Sequence, residues 1–283
     1  MILIKKIGDL QEKLFIHESS GESVGFVPTM GALHQGHLHL VAAARKHHPV
    51  TVCSIFVNPT QFNSPADFEK YPSTLERDID QLENAGCSVL FLPSVSEMYP
   101  PNDPIIHYNL GFIETILEGK HRPGHFQGVS RIVDKLLAAV KPDSIYIGQK
   151  DYQQCMVIKK VIELKGYRSR LQVCPTVRDE GGLAMSSRNL RLDEAQQLKA
   201  REIFKKLQFI ASSMKPGELA TLKKSAADAL TRAGFKVDYV EIANTDTLEL
   251  IANWDGQTPV VALIAAALNH VRLIDNLVIK HPG

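Results

Sequence analysis
Short apolar, β-branched runs alternate with longer helical patterns through the first 176 residues. The runs at 24–27, 50–57, 89–92, 144–148 and 171–174 read as buried strands, and Ile2, Leu3 and Ile4 read as a first strand ahead of them. Apolar residues recur at helical spacing near 37–47, 74–85, 127–140 and 151–165. Such alternation predicts βαβ units, hence an α/β fold with a parallel sheet covered by helices on both faces. Beyond residue 176 the pattern changes. A polar, glycine-bearing stretch at 176–189 leads into helical patterns at 193–212 and 217–233, separated by Lys215-Pro216-Gly217. Strand-like runs follow at 236–243, 259–268 and 271–279, with Asn269-His270 as a hairpin turn. The chain is therefore expected to hold a domain at 1–176 and a smaller C-terminal α+β domain at 177–283.

Composition narrows the function classes. A length of 283 residues suits two domains at about 150 residues each. Hydrophobic residues make up 44% and charged residues 22%, a soluble globular mix. The net charge of +1 argues against a nucleic-acid partner. The apolar part of the N-terminus is too short for a signal peptide, and the longest apolar run, 260–268, is far short of the ~20 residues a membrane span needs. Cys53, Cys87, Cys155 and Cys174 are scattered, with no Cys-x-x-Cys pair, as in a reduced, cytoplasmic protein.

The candidate chemistry lies at predicted strand ends, where parallel sheets bind ligands. Val27-Pro28-Thr29-Met30-Gly31-Ala32-Leu33-His34-Gln35-Gly36-His37 joins a strand to a helix. A helix start favours anions, glycine allows close approach, and two imidazoles add donors. A zinc site using His34, His37 and His39 is the competing reading. Gly148-Gln149-Lys150-Asp151 ends another strand, where Lys150 can reach phosphate and Asp151 can cap the next helix. Met185-Ser186-Ser187-Arg188-Asn189 offers a donor-rich clamp, and Gly181-Gly182 is expected to let that loop close. Gln61, after Asn58-Pro59-Thr60, and Gln154 suit a small substrate with hydroxyls and a carboxylate. Asp78 and Gln81 stand one helical turn apart and can share a metal ion. Arg122 can reach an anion or anchor a loop. With no P-loop, no Gly-x-Gly-x-x-Gly and no Ser-His-Asp set, phosphate chemistry at paired histidines points to adenylyl transfer.

Together these motifs closely resemble the pantoate–β-alanine ligase family, within the nucleotidyltransferase superfamily that includes class I aminoacyl-tRNA synthetases. His34-Gln35-Gly36-His37 looks like the His-x-Gly-His signature, and Met185-Ser186-Ser187-Arg188 looks like the second signature loop. The segments at 27–37, 56–62, 122–126, 148–154 and 176–189 match in order and spacing. The resemblance implies a Rossmann-like fold and a two-step reaction. Pantoate is first adenylated by ATP, and β-alanine then takes the acyl group, giving pantothenate and AMP. It implies that His37, His34, Lys150 and Arg188 are catalytic, with His37 as the proton donor. Met30, Gly31, Ala32, Leu33, His34, Gln35, Gly36 and His37 are expected to line the ATP site. Gly148, Gln149, Lys150, Asp151, Val177, Met185, Ser186, Ser187 and Arg188 complete it. Gln61 and Gln154 are expected to hold pantoate, with Gln61 also receiving β-alanine. Mg²⁺ with ATP, a homodimer and a C-terminal lid are implied as well. Arg77 stands where some relatives show a second acidic residue, and Gln149 where many carry Glu. Two other readings share part of this pattern: a nucleotidylyltransferase acting on a phosphorylated metabolite, and a non-catalytic ATP-binding module.

Overall fold
The computed structural model describes residues 1–63 and 68–279. The chain divides into two compact units, Met1–Pro175 and Thr176–Gly283. In the first unit, six strands form one sheet: β1 (Ile2–Ile4), β2 (Val24–Thr29), β3 (Val50–Ile55), β4 (Val89–Phe91), β5 (Ser144–Gly148) and β6 (Arg170–Cys174). Their order is β1-β4-β3-β2-β5-β6, and every pairing is parallel. All six residues of β3 are buried, which explains its unbroken apolar reading: helices cover both faces of such a sheet.

Among the described residues, this unit holds the helices α1 (Ile7–Ser19), α2 (Gln35–His47), α3 (Leu75–Asn84), α4 (Val95–Met98), α5 (Leu117–His121), α6 (His125–Val140) and α7 (Tyr152–Lys165). One group packs α2 against β2, β5 and α3; the other packs α1 and α7 against α6. Helix α1 is an element that the hydropathy pattern did not reveal. Leu10 and Leu14 face the core, but Phe15 and Ile16 are exposed, so its apolar stripe is blurred.

From β2 the chain builds outward through β3 and β4 on one side, whereas β5 and β6 lie on the other. The strand order therefore reverses between β2 and β5, the place where doubly wound sheets bind ligands. Local sequence widens this point. Strand β2 pairs with β3 as far as Thr29↔Ile55 but with β5 only through Phe26↔Ile145. Pro28 lies in the unpaired stretch; it has no N–H to continue a ladder, so the carboxyl ends of β2 and β5 part.

In the second unit, β8 (Phe235–Asn244), β10 (Val260–Leu268) and β11 (Val271–Ile279) form an antiparallel sheet in the order β11-β10-β8. A small ribbon pairs β7 (Gly217–Glu218) with β9 (Asn253–Trp254). The helical pattern at 193–212 forms two helices, α8 (Glu194–Ala200) and α9 (Glu202–Ser213), which meet at Arg201. Helix α9 and α10 (Ala220–Arg232) pack on the sheet around Leu207, Ile210, Leu230, Ile242 and Ile264. Asn269, with φ of 53°, makes the tight turn between β10 and β11. Residues 280–283 of the expected C-terminal domain lie outside the described residues.

Candidate active site
The loop after β2 is held in an uncommon shape. Gly31 and Ala32 both have positive φ, 80° and 49°. For Ala32 this conformation costs on the order of 1–3 kcal/mol unless the surroundings impose it. Three acceptors do so. Thr29 Oγ1, which donates to Ser54 O at 2.7 Å, accepts from Gly31 N–H at 3.2 Å. Asp78 accepts from Ala32 N–H and from Leu33 N–H, each at 2.8 Å.

This loop delivers His34 as the cap of α2. Its Nδ1 accepts from Gly36 N–H at 3.1 Å, and Nδ1 of His37 accepts from His34 N–H at 3.3 Å. A backbone N–H can only donate, so both Nδ1 atoms carry lone pairs and each neutral ring bears its proton on Nε2. The rings stack with centroids 4.0 Å apart. Burial, then the Lys150 charge, holds His34 down to about 4. Burial, followed by His34 and Lys150, holds His37 well below the ordinary imidazole value. At neutral pH the pair is uncharged and carries two Nε2–H donors. The charge of Lys150, just past the end of β5, is felt at both rings, so the β5 end lies near the β2 loop. Lys150 Nζ also lies 3.4 Å from Asp151 Oδ1.

The third strand end, after β3, is built on Asn58, a residue quoted in the sequence motif but given no role there. It is buried, with Oδ1 accepting from Thr60 N–H at 3.3 Å and from the Tyr99 hydroxyl at 2.7 Å. Asn58 Nδ2 donates to Gly128 O at 3.1 Å and to Gln61 Oε1 at 2.9 Å. The Thr60 amide must donate and the Gly128 carbonyl must accept, so the orientation of the Asn58 amide is determined. That in turn orients Gln61, whose Nε2 is left as a donor and contacts Met30 Sδ at 3.1 Å. His125 Nδ1 lies 2.8 Å from Gln61 O, and Arg122 bridges His125 Nε2 and Glu118 at 3.0 and 3.9 Å. Arg122 thus anchors a loop. Gln154 is half-buried on the first turn of α7, while its neighbour Gln153 is buried and ties down Ile113, Ile116 and Glu118.

Asp78 and Gln81 do different things. Asp78 is buried and, besides the two loop amides, accepts from Thr74 Oγ1 at 3.0 Å. Gln81 Oε1 is buried with no hydrogen-bond partner. Mg²⁺ is commonly held by one or two carboxylates together with waters and phosphates, and the Asp78 carboxylate is already committed to three donors. Among the described residues, no three His, Cys, Asp or Glu side chains gather as a metal cluster. Helical spacing placed the pair correctly but carried no information about the loop lying over it.

In the second unit, Arg178 and Ala184 bridge a hairpin in which Met185 N–H donates to Val177 O at 2.9 Å. Arg178 holds Asp275 of β11 with two bonds, 2.5 and 2.9 Å long, and lies over the Phe204 ring at 3.8 Å. Asp179 accepts from Gly181 and Leu183 amides and binds Arg201. A Cβ on Gly181 would meet Arg201 atoms at 2.0–2.4 Å, and one on Gly182 would meet Phe204 at 2.4 Å. These glycines admit packed side chains, a tight-contact role that differs from the expected freedom to close. Ser187 is buried, and Ser186 Oγ accepts from Arg188 N–H at 3.3 Å.

A parallel sheet parted at its topological switch point, with a His-x-Gly-His helix start there, defines a Rossmann-like α/β protein with a ligand crevice at the carboxyl ends of its strands. The chain belongs to the family described as pantoate-beta-alanine ligase, which matches residues 2–278. It is 44% identical to the pantothenate synthetase of Cytophaga hutchinsonii and 42% identical to that of Bacteroides thetaiotaomicron, with 99% of each chain covered in both comparisons. The fold matches the pantothenate synthetase of Thermus thermophilus with a TM-score of 0.90 at 38% identity, covering 99% of this chain and 100% of that one. It also matches a Francisella tularensis pantoate-beta-alanine ligase, solved with Beta-gamma ATP and beta-alanine, with a TM-score of 0.82 at 36% identity, covering 98% and 97%. The chain is thus an enzyme of pantothenate formation that joins pantoate to β-alanine.

Proposed function
We propose that the reaction runs through pantoyl adenylate at the β2–β5 crevice. A pantoate carboxylate oxygen attacks the α-phosphorus of ATP, the bond to the β-phosphate breaks, and pyrophosphate leaves. The β-alanine amine then attacks the acyl carbon, its C–O bond to phosphate breaks, and AMP leaves. The observation that carries this reading is the stacked pair His34 and His37, each with Nδ1 occupied and Nε2–H available, beside Lys150. Two neutral donors and one cation suit the charge that develops on phosphate oxygens during the attack. Neutral His37 acts chiefly as a hydrogen-bond donor, since the departing pyrophosphate needs no proton.

Met30 to His37 and Gly148 to Asp151 line the ATP site in this reading. The amides of Ala32 and Leu33 are spent on Asp78, so those two residues serve by shape. Gln61 Nε2 donates to pantoate, and Gln154 adds a second amide. The resemblance assigns Val177, Met185, Ser186, Ser187 and Arg188 to the nucleotide as well. Mg²⁺ enters as the MgATP substrate, held mainly by phosphate oxygens. The enzyme acts as a homodimer in the cytoplasm. Four free, buried cysteines suit a reducing compartment, and no helix among the described residues is long and apolar enough to cross a membrane.

The test is pantoate-dependent exchange of labelled pyrophosphate into ATP, with Mg²⁺ and without β-alanine. Exchange is the expected result. Its absence in folded, ATP-binding protein would remove the adenylate pathway.

A further inference from the structure
We infer that Asp78 is a positioning residue for adenylation, a clamp that holds the β2–α2 loop in the shape that presents His34 and His37, and that it is not a metal ligand. The inference rests on the reading of those histidines as phosphate-binding groups. A turn that aims successive backbone N–H groups to one side makes a concavity that binds anions. Gly31 and Ala32 make such a concavity here, and the anion in it is the protein's own carboxylate. Oδ2 takes the Ala32 amide, and Oδ1 takes the Leu33 amide together with the Thr74 hydroxyl. The next amide in the chain, that of His34, is the one that sets His37. Asp78 is therefore one residue removed from the donor that orients the catalytic ring. Its own helix supports it: Thr74 precedes α3, and Asp78 N–H donates to Thr74 O.

The loop conformation needs this partner. Gly31 adopts it freely, whereas Ala32 with φ of 49° does not. A carboxylate can accept one amide on each of its two oxygens, and the isosteric carboxamide cannot, because one of its two positions is a donor. In Asp78→Asn, the NH₂ group would face a backbone N–H, donor against donor. The rival role is a metal ligand shared with Gln81, whose buried Oε1 has no partner.

The experiment measures pyrophosphate exchange, ATP KM, thermal midpoint and the Mg²⁺ activation midpoint in Asp78→Asn, Thr74→Val and Asp78→Asn/Ala32→Gly. Asp78→Asn is expected to lower exchange kcat about 10²-fold, the scale of a misplacement near 1 Å. Its Mg²⁺ midpoint should match that of the parent protein. Adding Ala32→Gly should recover kcat several-fold, because glycine adopts the left-handed shape without the clamp. Thr74→Val, which removes one of three donors, should give a smaller loss of the same kind, and it carries the test if Asp78→Asn does not fold. A Mg²⁺ midpoint shifted tenfold or more would overturn the inference in favour of metal ligation. A lowered thermal midpoint with unchanged kcat would overturn it in favour of a purely structural role. His37→Ala, run in parallel, separates the two ideas. If it keeps exchange while Asp78→Asn loses it and Ala32→Gly restores it, the histidine assignment falls and the clamp stands.

Discussion
At the residue scale, one backbone amide decides what each imidazole can do. Gly36 N–H occupies Nδ1 of His34, and His34 N–H occupies Nδ1 of His37, leaving both protons on Nε2. The capping and phosphate-binding roles of His34 can therefore be separated. Asn is a good helix cap, and its Oδ1 can replace Nδ1 as the acceptor for Gly36. His34→Asn should keep the thermal midpoint near that of the parent while pyrophosphate exchange falls about 10²-fold or more. Preserved exchange in that variant would show that only the cap matters. His37→Ala should abolish exchange at a stability cost of about 1 kcal/mol, because the His34 amide loses its acceptor, as circular dichroism melts beside the exchange assay would report. The same burial sets the pH response. His34 titrates at about 4 and His37 well below 6.5, so lowering the pH through 6.5 leaves both rings neutral. The acid limb of exchange should lie well below 6.5; a limb centred at 6.5 would mean these rings are solvated. The His-x-Gly-His spacing was legible in the sequence, but the tautomers were not, because they depend on ψ and φ at three successive residues.

At the element scale, the position of Gln61 depends on how closely α6 approaches the short turn at Pro59–Gln61. Gly128 allows that approach: a Cβ there would lie 2.2 Å from Thr60 O and 2.7 Å from Gln61 Cα. Gly128→Ala should cost about 1–3 kcal/mol of stability through overpacking. It should also raise KM for pantoate more than KM for ATP, since the turn it displaces carries Gln61 and not Lys150. Equal changes in both constants would show that the damage is general. Nothing in the sequence around Gly128 announces this contact, which joins residues about 70 apart. Gln61 itself stood out as a neutral amide just past a predicted strand end; that Asn58 caps the short turn carrying it is visible only in the structure. The hydropathy pattern located most helices and strands within a few residues. It missed α1, whose exposed Phe15 and Ile16 obscure its buried stripe.

At the scale of the whole molecule, acid stability follows from histidines kept neutral. His34 and His125 are held at about 4 and His37 well below the ordinary imidazole value, in each case first by burial. In the unfolded chain such groups take up protons near 6.5. Between pH 6.5 and about 4 the unfolded state therefore binds more protons than the native state, and stability must fall as the pH is lowered through that window. Thermal midpoints measured from pH 7.5 to 4.5 should decline below about 6.5. A midpoint rising on acidification would contradict the neutral, buried state of these rings.

The amino-acid sequence by itself determined the alternation of strands and helices, the change of pattern after residue 176, and the motif residues at three strand ends. These are local properties, set by side-chain periodicity and turn chemistry within a dozen residues. Tertiary structure alone decided which strand ends become neighbours, because the order β4-β3-β2-β5 depends on pairing between segments as much as 119 residues apart, as in the bond from Val24 N–H to Asp143. It also turned Asp78 from one of two spaced helix residues into the partner of Ala32 and Leu33, 46 and 45 positions away. A carboxylate's role is set by the donors that reach it, and periodicity along the chain does not say which donors will.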